Sequence, residues 1–152
     1  MVEMGGRVVV GVALVDWAGR VPCVLLGRRA APPELAGCWE FPGGKVEAGE
    51  SEQEGLRREC REELGVEVVL GDRLGPDLAL PAGAVLRVWT GRAAGEPVPL
   101  AHSELLWVSA AEMEGLAWLP ADRPLVADLR RLLAGWAAGR SKGEAKGEAS
   151  LP

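Results

Sequence analysis

Two long apolar runs open the chain and predict a β-hairpin. They cover residues 7–15 and 21–28, and the four residues Asp16-Trp17-Ala18-Gly19 separate them as a turn. A proline-containing loop, residues 30–37, comes next. Further along the chain, short apolar runs predict strands at residues 66–70, 78–80, 85–90 and 105–108.

The pattern also predicts two substantial helices. Ser51 with Glu54 forms a capping box, Gly65 is a typical C-terminal glycine, and a buried stripe lies between them at Leu56, Cys60 and Leu64. After a short helix at residues 110–115, a last helix begins beyond Pro120-Ala121-Asp122, with an apolar face of Leu125, Leu129, Leu132, Leu133 and Trp136. Mixed strands with two such helices indicate an α/β sandwich.

Composition is that of a single globular domain. A chain of 152 residues with 48% apolar content suits one core, which we place in residues 1–138, and residues 139–152 have the composition of a flexible, solvated tail. The net charge of −5 argues against a nucleic-acid polymer or an anionic membrane as partner. Three widely spaced cysteines and an apolar run too short to span a bilayer indicate a cytoplasmic protein. We expect a monomer or a homodimer.

Three acidic residues share one face of the first helix. Glu59, Glu62 and Glu63 stand at i, i+3 and i+4, and the last two lie where the helix dipole disfavours negative charge. Glu63 projects at the margin of the buried stripe, so we expect it to be partly desolvated. Such a cluster needs a counterion, and hard oxygen ligands suit Mg²⁺ or Mn²⁺. A charge-laced surface helix is the alternative interpretation.

The residues around this helix resemble the Nudix box. The shared positions are Gly44, Glu50 and the run Arg58-Glu59-Cys60-Arg61-Glu62-Glu63-Leu64-Gly65-Val66. The flanking segments 39–45 and 119–124 are similar to those of MutT-type nucleoside triphosphate pyrophosphohydrolases, so the resemblance covers most of the chain. It implies a Nudix-type α/β/α sandwich with a mixed β-sheet. It also implies Mg²⁺-dependent hydrolysis of a free nucleoside triphosphate to the monophosphate and pyrophosphate, with Mn²⁺ as a second possible ion.

The resemblance assigns roles to the residues of the box. Metal ligands would be the side chains of Glu59, Glu62 and Glu63 together with the Gly43 carbonyl, and Glu59 or Glu62 would help to deprotonate water. Glu50 and Arg58 would hold the loop to the helix, because an arginine orients carboxylates by charge-assisted hydrogen bonds. Glu104 resembles a loop carboxylate that some relatives add to the site, so it is a provisional metal ligand or base.

Substrate contacts are expected on both sides of the double glycine. They involve Arg29, Glu40, Phe41, Gly44, Lys45 and Asp122. Arg29 resembles the phosphate-binding arginine of the family, although it and Lys45 could equally be solvated basic residues. Glycine at position 44 lets the backbone approach phosphate or metal closely. Phe41 would line the base pocket, and His102 is expected to be an ordinary loop residue.

Asp122 bears on the choice of base. An ionised carboxylate offers only acceptors, and cytosine presents an amino donor at N4. Many MutT-like hydrolases of oxidised purines have asparagine at this position, so Asp122 favours CTP, dCTP or 5-methyl-dCTP; a simple helix N-cap is its other possible role. The alternatives are an 8-oxo-dGTP diphosphatase, a Nudix hydrolase of another diphosphate such as ADP-ribose, and a noncatalytic nucleotide-binding module.

Overall fold

A computed structural model describes residues 7–18 and 21–143 of the chain. Within these residues seven strands and two α-helices follow one another as β1 (Val8–Ala18), β2 (Val21–Arg28), β3 (Trp39–Glu40), β4 (Gly43–Lys45), α1 (Glu52–Leu64), β5 (Val68–Ala79), β6 (Val85–Ala93), β7 (Glu104–Ser109) and α2 (Val126–Gly143). Short 3₁₀ turns occupy Pro81–Gly83, Ala110–Gly115 and Arg123–Leu125.

The strands form one mixed sheet with β1 at its centre. β1 pairs in parallel with β6, and it pairs antiparallel with β2 near its end and with β4 near its start. The path across the sheet is β3-β2-β1-β6-β5, while β7 lies along the other edge of β2. β1 has hydrogen-bonded neighbours on both edges. Its apolar side chains from Val10 to Val15 are buried, some on one face of the sheet and some on the other.

A separate hydrophobic core covers each face of the sheet. Alternate side chains of β1 point to opposite faces, so Val10, Val12 and Leu14 pack with the buried stripe of α1, Leu56, Cys60 and Leu64. Ala13 and Val15 belong to the other core, together with Leu125, Leu129 and Leu133 from the α2 side. The arrangement is an α/β/α sandwich around a mixed sheet, which confirms the predicted fold.

Helix α1 begins and ends where its sequence predicts. The Ser51 side chain accepts a hydrogen bond from the Glu54 amide, the Glu54 side chain accepts one from the Ser51 amide, and Gly65 adopts the left-handed conformation with φ of 68°. The last carbonyls of the helix are satisfied from outside it. The Leu100 amide donates to the Glu63 carbonyl at 3.0 Å and the Val98 amide donates to the Leu64 carbonyl at 2.9 Å.

Two of the predicted strand limits are wrong. Strand β1 continues through Asp16 and Trp17 to Ala18, which pairs with Val21, so three of the four predicted turn residues belong to the strand. Gly19 lies outside the described residues. The runs 66–70 and 78–80 belong largely to the single strand β5, which stays paired with β6 across two register shifts. Bulges of this kind interrupt the apolar alternation, so the sequence pattern divides one strand into two.

The C-terminal helix has the predicted apolar face. Leu132 and Trp136 lie half-buried against the core that Leu125, Leu129 and Leu133 enter. The helix runs to Gly143, past the predicted end of the domain at residue 138, and residues 144–152 lie outside the described part of the chain. The domain boundary therefore stays a prediction. No helix of the described residues is both long and apolar enough to cross a membrane.

Candidate active site

The double glycine forms strand β4 and brings the backbone against two neighbours. A Cβ on Gly43 would lie 2.0 Å from the Val10 carbonyl oxygen, and a Cβ on Gly44 would lie 2.3 Å from Oε2 of Glu59. A side chain at position 43 would overlap the backbone of β1, and one at position 44 would force the Glu59 carboxylate to move, because both distances are shorter than real Cβ contacts. Glycine at these positions therefore lets β4 pass between the central strand and the acidic face of α1.

Arg58 ties α1 to the loop that precedes it. Its Nε and Nη2 bind the two carboxylate oxygens of Glu50 at 2.6 and 3.1 Å, and Nη2 also donates to the Lys45 carbonyl at 3.0 Å. This bidentate geometry is the strong form of an arginine–carboxylate pair. The hydrogen bond from Arg58 lowers the pKa of Glu50, and Glu50 in turn raises the pKa of Arg58. The predicted holding role of this pair agrees with these contacts.

The three glutamates of the helix have different surroundings. Nη1 of Arg58 lies 3.2 Å from Glu59 and 3.3 Å from Glu62, but the Glu59 side chain is 14% exposed and the Glu62 side chain is 58% exposed. Burial raises the pKa of Glu59 despite its bond to Arg58. Glu63 accepts a hydrogen bond from the Gly43 amide at 3.2 Å, and burial raises its pKa to about 7. The predicted desolvation of Glu63 is confirmed.

These residues have the donor chemistry of a divalent-cation site, although their side chains do not converge on one point. No three carboxylate, imidazole or thiolate groups of the described residues are close enough together to hold an ion. Arg58 draws Glu59 and Glu62 to one side, while Glu63 faces Gly43. Carboxylates that are costly to charge when bare suit a cation that neutralises them, and the oxygen donor set suits Mg²⁺ or Mn²⁺. The residues therefore fit the ion that the box implies.

A cleft of about 270 Å³ opens beside Glu63, whereas Glu59 and Glu62 are not among the residues that line it. Its lining includes Gly43, Gly44, Lys45 and Glu63 together with Phe41, Leu119, Ala121 and Asp122. Phe41 is itself mostly buried and packs against Trp118, with the ring centroids 5.9 Å apart. Lys45 is exposed at the rim. Of the predicted substrate contacts, the cleft brings together Arg29, Glu40, Phe41, Gly44, Lys45 and Asp122.

Asp122 is a buried acid, and its side chain does not cap a helix. It precedes the 3₁₀ turn Arg123–Leu125, but its carboxylate makes no capping bond there. Oδ2 instead accepts a hydrogen bond from the Phe41 amide at 2.8 Å. The residue is 5% exposed, and burial raises its pKa to about 7. The alternative role as a side-chain N-cap is therefore wrong, and Asp122 links the 39–45 and 119–124 segments across the cleft.

His102 is not the ordinary loop residue that we expected. It does lie in the loop before β7, but its side chain is only 4% exposed, and its Nε2 lies 2.9 Å from Oε2 of Glu40. The other oxygen of Glu40 binds Nη1 of Arg29 at 3.1 Å. A lone histidine in a polar loop gives no sequence signal for such burial, because its partners are distant in the chain.

Glu104 lies apart from the other candidates. At the start of β7 it forms an ion pair with Arg28 at 3.0 Å, and both side chains are about half exposed. It is absent from the walls of the 270 Å³ cleft. Its provisional assignment as a metal ligand or base remains a prediction without support from this geometry.

The two glycines of β4 give matched variants. In Gly44→Ala the overlapping atom is the end of the flexible Glu59 side chain, so the fold should survive while Glu59 is displaced, and kcat should fall about 100-fold. In Gly43→Ala the overlap is with the backbone of β1, so the free energy of unfolding should fall by about 3 kcal/mol. Thermal melts and turnover assays distinguish the two losses. Gly115→Ala is the control, since no atom lies within 4 Å of the added Cβ.

The fold and the box define a Nudix domain. The family model described as the NUDIX domain matches residues 5–132. The chain therefore belongs to the Nudix hydrolase family and is an enzyme.

Relatives with named activities span most of the chain. A protein of Mycobacterium tuberculosis (strain CDC 1551 / Oshkosh), named putative 8-oxo-dGTP diphosphatase 2, is 51% identical over 119 residues, which are 76% of this chain and 84% of that protein. The CTP pyrophosphohydrolase of Escherichia coli (strain K12) is 34% identical over 117 residues, 75% of this chain and 84% of its own. The crystal structure of a MutT NUDIX hydrolase from Burkholderia pseudomallei superposes with a TM-score of 0.68 at 30% identity, covering 81% of this chain and 97% of that chain.

Proposed function

We propose that this enzyme hydrolyses a nucleoside triphosphate to the monophosphate and pyrophosphate, with a cytidine nucleotide such as CTP, dCTP or 5-methyl-dCTP as the favoured substrate. The observation that carries the proposal is the cleft that both Glu63, from the acidic face of α1, and the buried carboxylate of Asp122 line. In this cleft the polyphosphate would lie near Glu63 and Lys45, and the base would lie near Phe41 and Asp122. The substrate would be a free nucleotide in the cytoplasm.

Catalysis would centre on the glutamates of α1. Glu59, Glu62, Glu63 and the Gly43 carbonyl would hold Mg²⁺, with Mn²⁺ as a substitute, and the ion would neutralise phosphate oxygens and acidify a water molecule. Glu59 or Glu62 would accept the proton of that water. Burial raises the pKa of Glu59, which favours it as a proton acceptor, whereas the Glu62 side chain is the more exposed of the two. Arg58 and Glu50 would keep these groups in place by holding the loop to the helix.

Base selection would depend on Asp122. Because the Phe41 amide occupies Oδ2, the oxygen Oδ1 is left to accept a hydrogen bond from the amino group of cytosine. Guanine also carries donors, and one relative bears the name putative 8-oxo-dGTP diphosphatase 2. An oxidised purine nucleotide is therefore the second candidate. A different diphosphate such as ADP-ribose, and a module that binds nucleotide without hydrolysis, are supported by no contact that the cleft shows.

A substrate panel tests the proposal. We would compare kcat/KM for CTP, dCTP, 5-methyl-dCTP, 8-oxo-dGTP and ADP-ribose with Mg²⁺ present, and identify the products. The expected result is pyrophosphate release with at least one cytidine nucleotide ranked first. An 8-oxo-dGTP preference would replace the cytidine assignment with the second candidate. Absence of pyrophosphate release from every triphosphate, despite nucleotide binding, would contradict the hydrolase proposal.

A further inference from the structure

His102 is the most deeply buried polar group near the cleft that the proposed chemistry leaves without a task. Its side chain is 4% exposed and lies at the wall of a second cleft, of about 200 Å³. This second cleft shares Arg29, Glu40 and Glu63 with the first, so the two adjoin at these residues. Burying an imidazole has a cost unless its nitrogens are bonded, so its location needs an explanation.

Gly27 provides the space in which the ring sits. A Cβ on Gly27 would lie 2.5 Å from Cδ2 and 2.7 Å from Nδ1 of His102, so any other residue there would expel the imidazole. Gly27 pairs with Glu40 in the sheet, which places the ring beside the backbone of the two strands that lead to Arg29 and Glu40. The ring position is thus determined by backbone packing as well as by its hydrogen bond.

The hydrogen-bonding pattern defines the protonation of the ring. Nε2 faces Oε2 of Glu40 at 2.9 Å, and an ionised carboxylate can only accept, so Nε2 carries a proton. Nδ1 is buried and has no partner among the described residues. A proton on Nδ1 would be an unsatisfied donor, which is costly, so of the two tautomers the one with its proton on Nε2 is favoured.

That donor controls the direction of Glu40 and, through it, Arg29. With Oε2 bonded to His102, Oε1 faces Arg29 and accepts from Nη1 at 3.1 Å. The Nε of Arg29 is bonded to the Ala31 carbonyl at 3.0 Å, whereas no hydrogen bond from its Nη2 is found in the described part of the chain. The guanidinium is therefore held on two sides at the junction of the two clefts, with a donor group left over.

We propose that His102 is a positioning residue that orients Glu40, and through Glu40 holds the Arg29 guanidinium where it binds a phosphate group of the substrate. The inference rests on the proposed triphosphate substrate. The relay, His102–Glu40–Arg29, reduces the conformational freedom that a long arginine side chain would lose on binding phosphate. It gives the second cleft a function in aligning the polyphosphate.

The tautomer can be measured directly in the free enzyme. His102 is the only histidine in the sequence, so its ring ¹⁵N signals need no assignment. At alkaline pH we expect one tautomer, with Nε2 protonated and Nδ1 bare, and Glu40→Ala should convert it to a mixture. A mixture in the wild-type protein, or a proton on Nδ1, would overturn the relay.

The proposed effect of His102 on phosphate binding can be tested by calorimetry. The ligand is α,β-methylene CTP, which the enzyme cannot hydrolyse, and Mg²⁺ is present. His102→Ala should raise Kd about tenfold, and His102→Gln, which keeps much of the volume and a donor, should recover most of the loss. Adding His102→Ala to Arg29→Ala should cost less than about twofold more, because both act through one contact. Ser103→Ala, an exposed neighbour, is the control.

The outcomes separate this inference from the proposed function. Two results would overturn the relay alone, provided that the wild-type enzyme binds the analogue. One is an unchanged Kd in His102→Ala, and the other is that the losses from His102→Ala and Arg29→Ala add in the double variant. Wild-type enzyme that binds neither this analogue nor its 8-oxo-dGTP counterpart overturns the proposed function and the phosphate role together. If His102→Ala does not fold, the Kd of Glu40→Ala is measured instead, because this variant removes the carboxylate that accepts from both His102 and Arg29. An unchanged Kd in Glu40→Ala overturns the relay.

Discussion

Replacing Glu63 by glutamine should reduce kcat for triphosphate hydrolysis by about 100- to 1,000-fold, because a metal ligand contributes several kcal/mol of charge stabilisation. Glutamine keeps the shape of the side chain and can still accept the Gly43 amide hydrogen bond. What it loses is the negative charge beside the cleft. Burial already disfavours that charge, so the variant should be no less stable than the wild type in a thermal melt.

Glu67→Gln is the matched control for this variant. Glu67 lies just beyond the same helix, is 62% exposed and pairs only with Arg61 among the ion pairs of the described residues. Its loss should leave pyrophosphate release within about twofold of wild type, as is usual for an exposed ion pair. If Glu63→Gln behaves like Glu67→Gln at saturating Mg²⁺, and needs no more Mg²⁺ to reach half its maximal rate, Glu63 is not a metal ligand.

The parts of the site that the sequence predicts are local in the chain. The caps of α1 span residues 51–65, and the stripe and the acidic face follow from helical spacing alone. Arg58 and Glu50 are eight positions apart, and it is the resemblance to the Nudix box that associates them. Short-range physical rules are sufficient for the caps, the stripe and the acidic face.

The contacts that the sequence does not reveal are distant in the chain. His102 and Glu40 are 62 positions apart, and the Phe41 amide meets Asp122 across 81 positions. Burial of either polar side chain depends on how β2, β3 and the loops are assembled in the sheet. The glycine at position 27, which pairs with Glu40, is the sequence feature that makes room for the His102 ring. A glycine in a strand indicates only that some group approaches the backbone closely, and it does not say which group.

The sequence predicts the state of only one of the three acids, Glu63. Glu59, Glu62 and Glu63 have the same chemistry, yet their exposure differs because the helix presents Glu63 towards β4 and Glu62 towards solvent. Arg58 holds two of them, and Gly43 bonds the third. Helical spacing predicts the partial burial of Glu63, but the close approach of β4 to Glu59, and hence the burial of that side chain, depends on the assembled sheet.

Asp122→Asn should shift the substrate ranking away from cytidine nucleotides, lowering the ratio of kcat/KM for dCTP to that for 8-oxo-dGTP by about 10- to 100-fold. The amide of asparagine has one acceptor oxygen where the carboxylate has two, and the Phe41 amide already uses an acceptor there. The remaining NH₂ group would face the cytosine amino donor without an acceptor. The ratio is the informative quantity, because losses shared by both substrates cancel.

The pH dependence of the dCTP to 8-oxo-dGTP ratio is a second test of the role of Asp122. Its pKa of about 7 lies above the ordinary value of 3.8, so the carboxylate gains its charge, and with it full acceptor strength, only as pH rises through about 7. The dCTP preference of the wild type should therefore increase over that range, while the ratio for Asp122→Asn should stay flat. An unchanged ratio in a variant that melts normally would show that Asp122 holds Phe41 in place without reading the base.

The same shift in the pKa of Asp122 makes the stability of the fold depend on pH. Because the pKa is higher in the folded state than in the unfolded chain, the contribution of this group is fully present below about pH 3.8 and is lost as pH rises through about 7. Asparagine stays neutral in both states, so Asp122→Asn should melt no lower than the wild type at alkaline pH. A thermal melt of both proteins across this range separates the cost of ionising Asp122 from its part in substrate choice, since only the second depends on the nucleotide added.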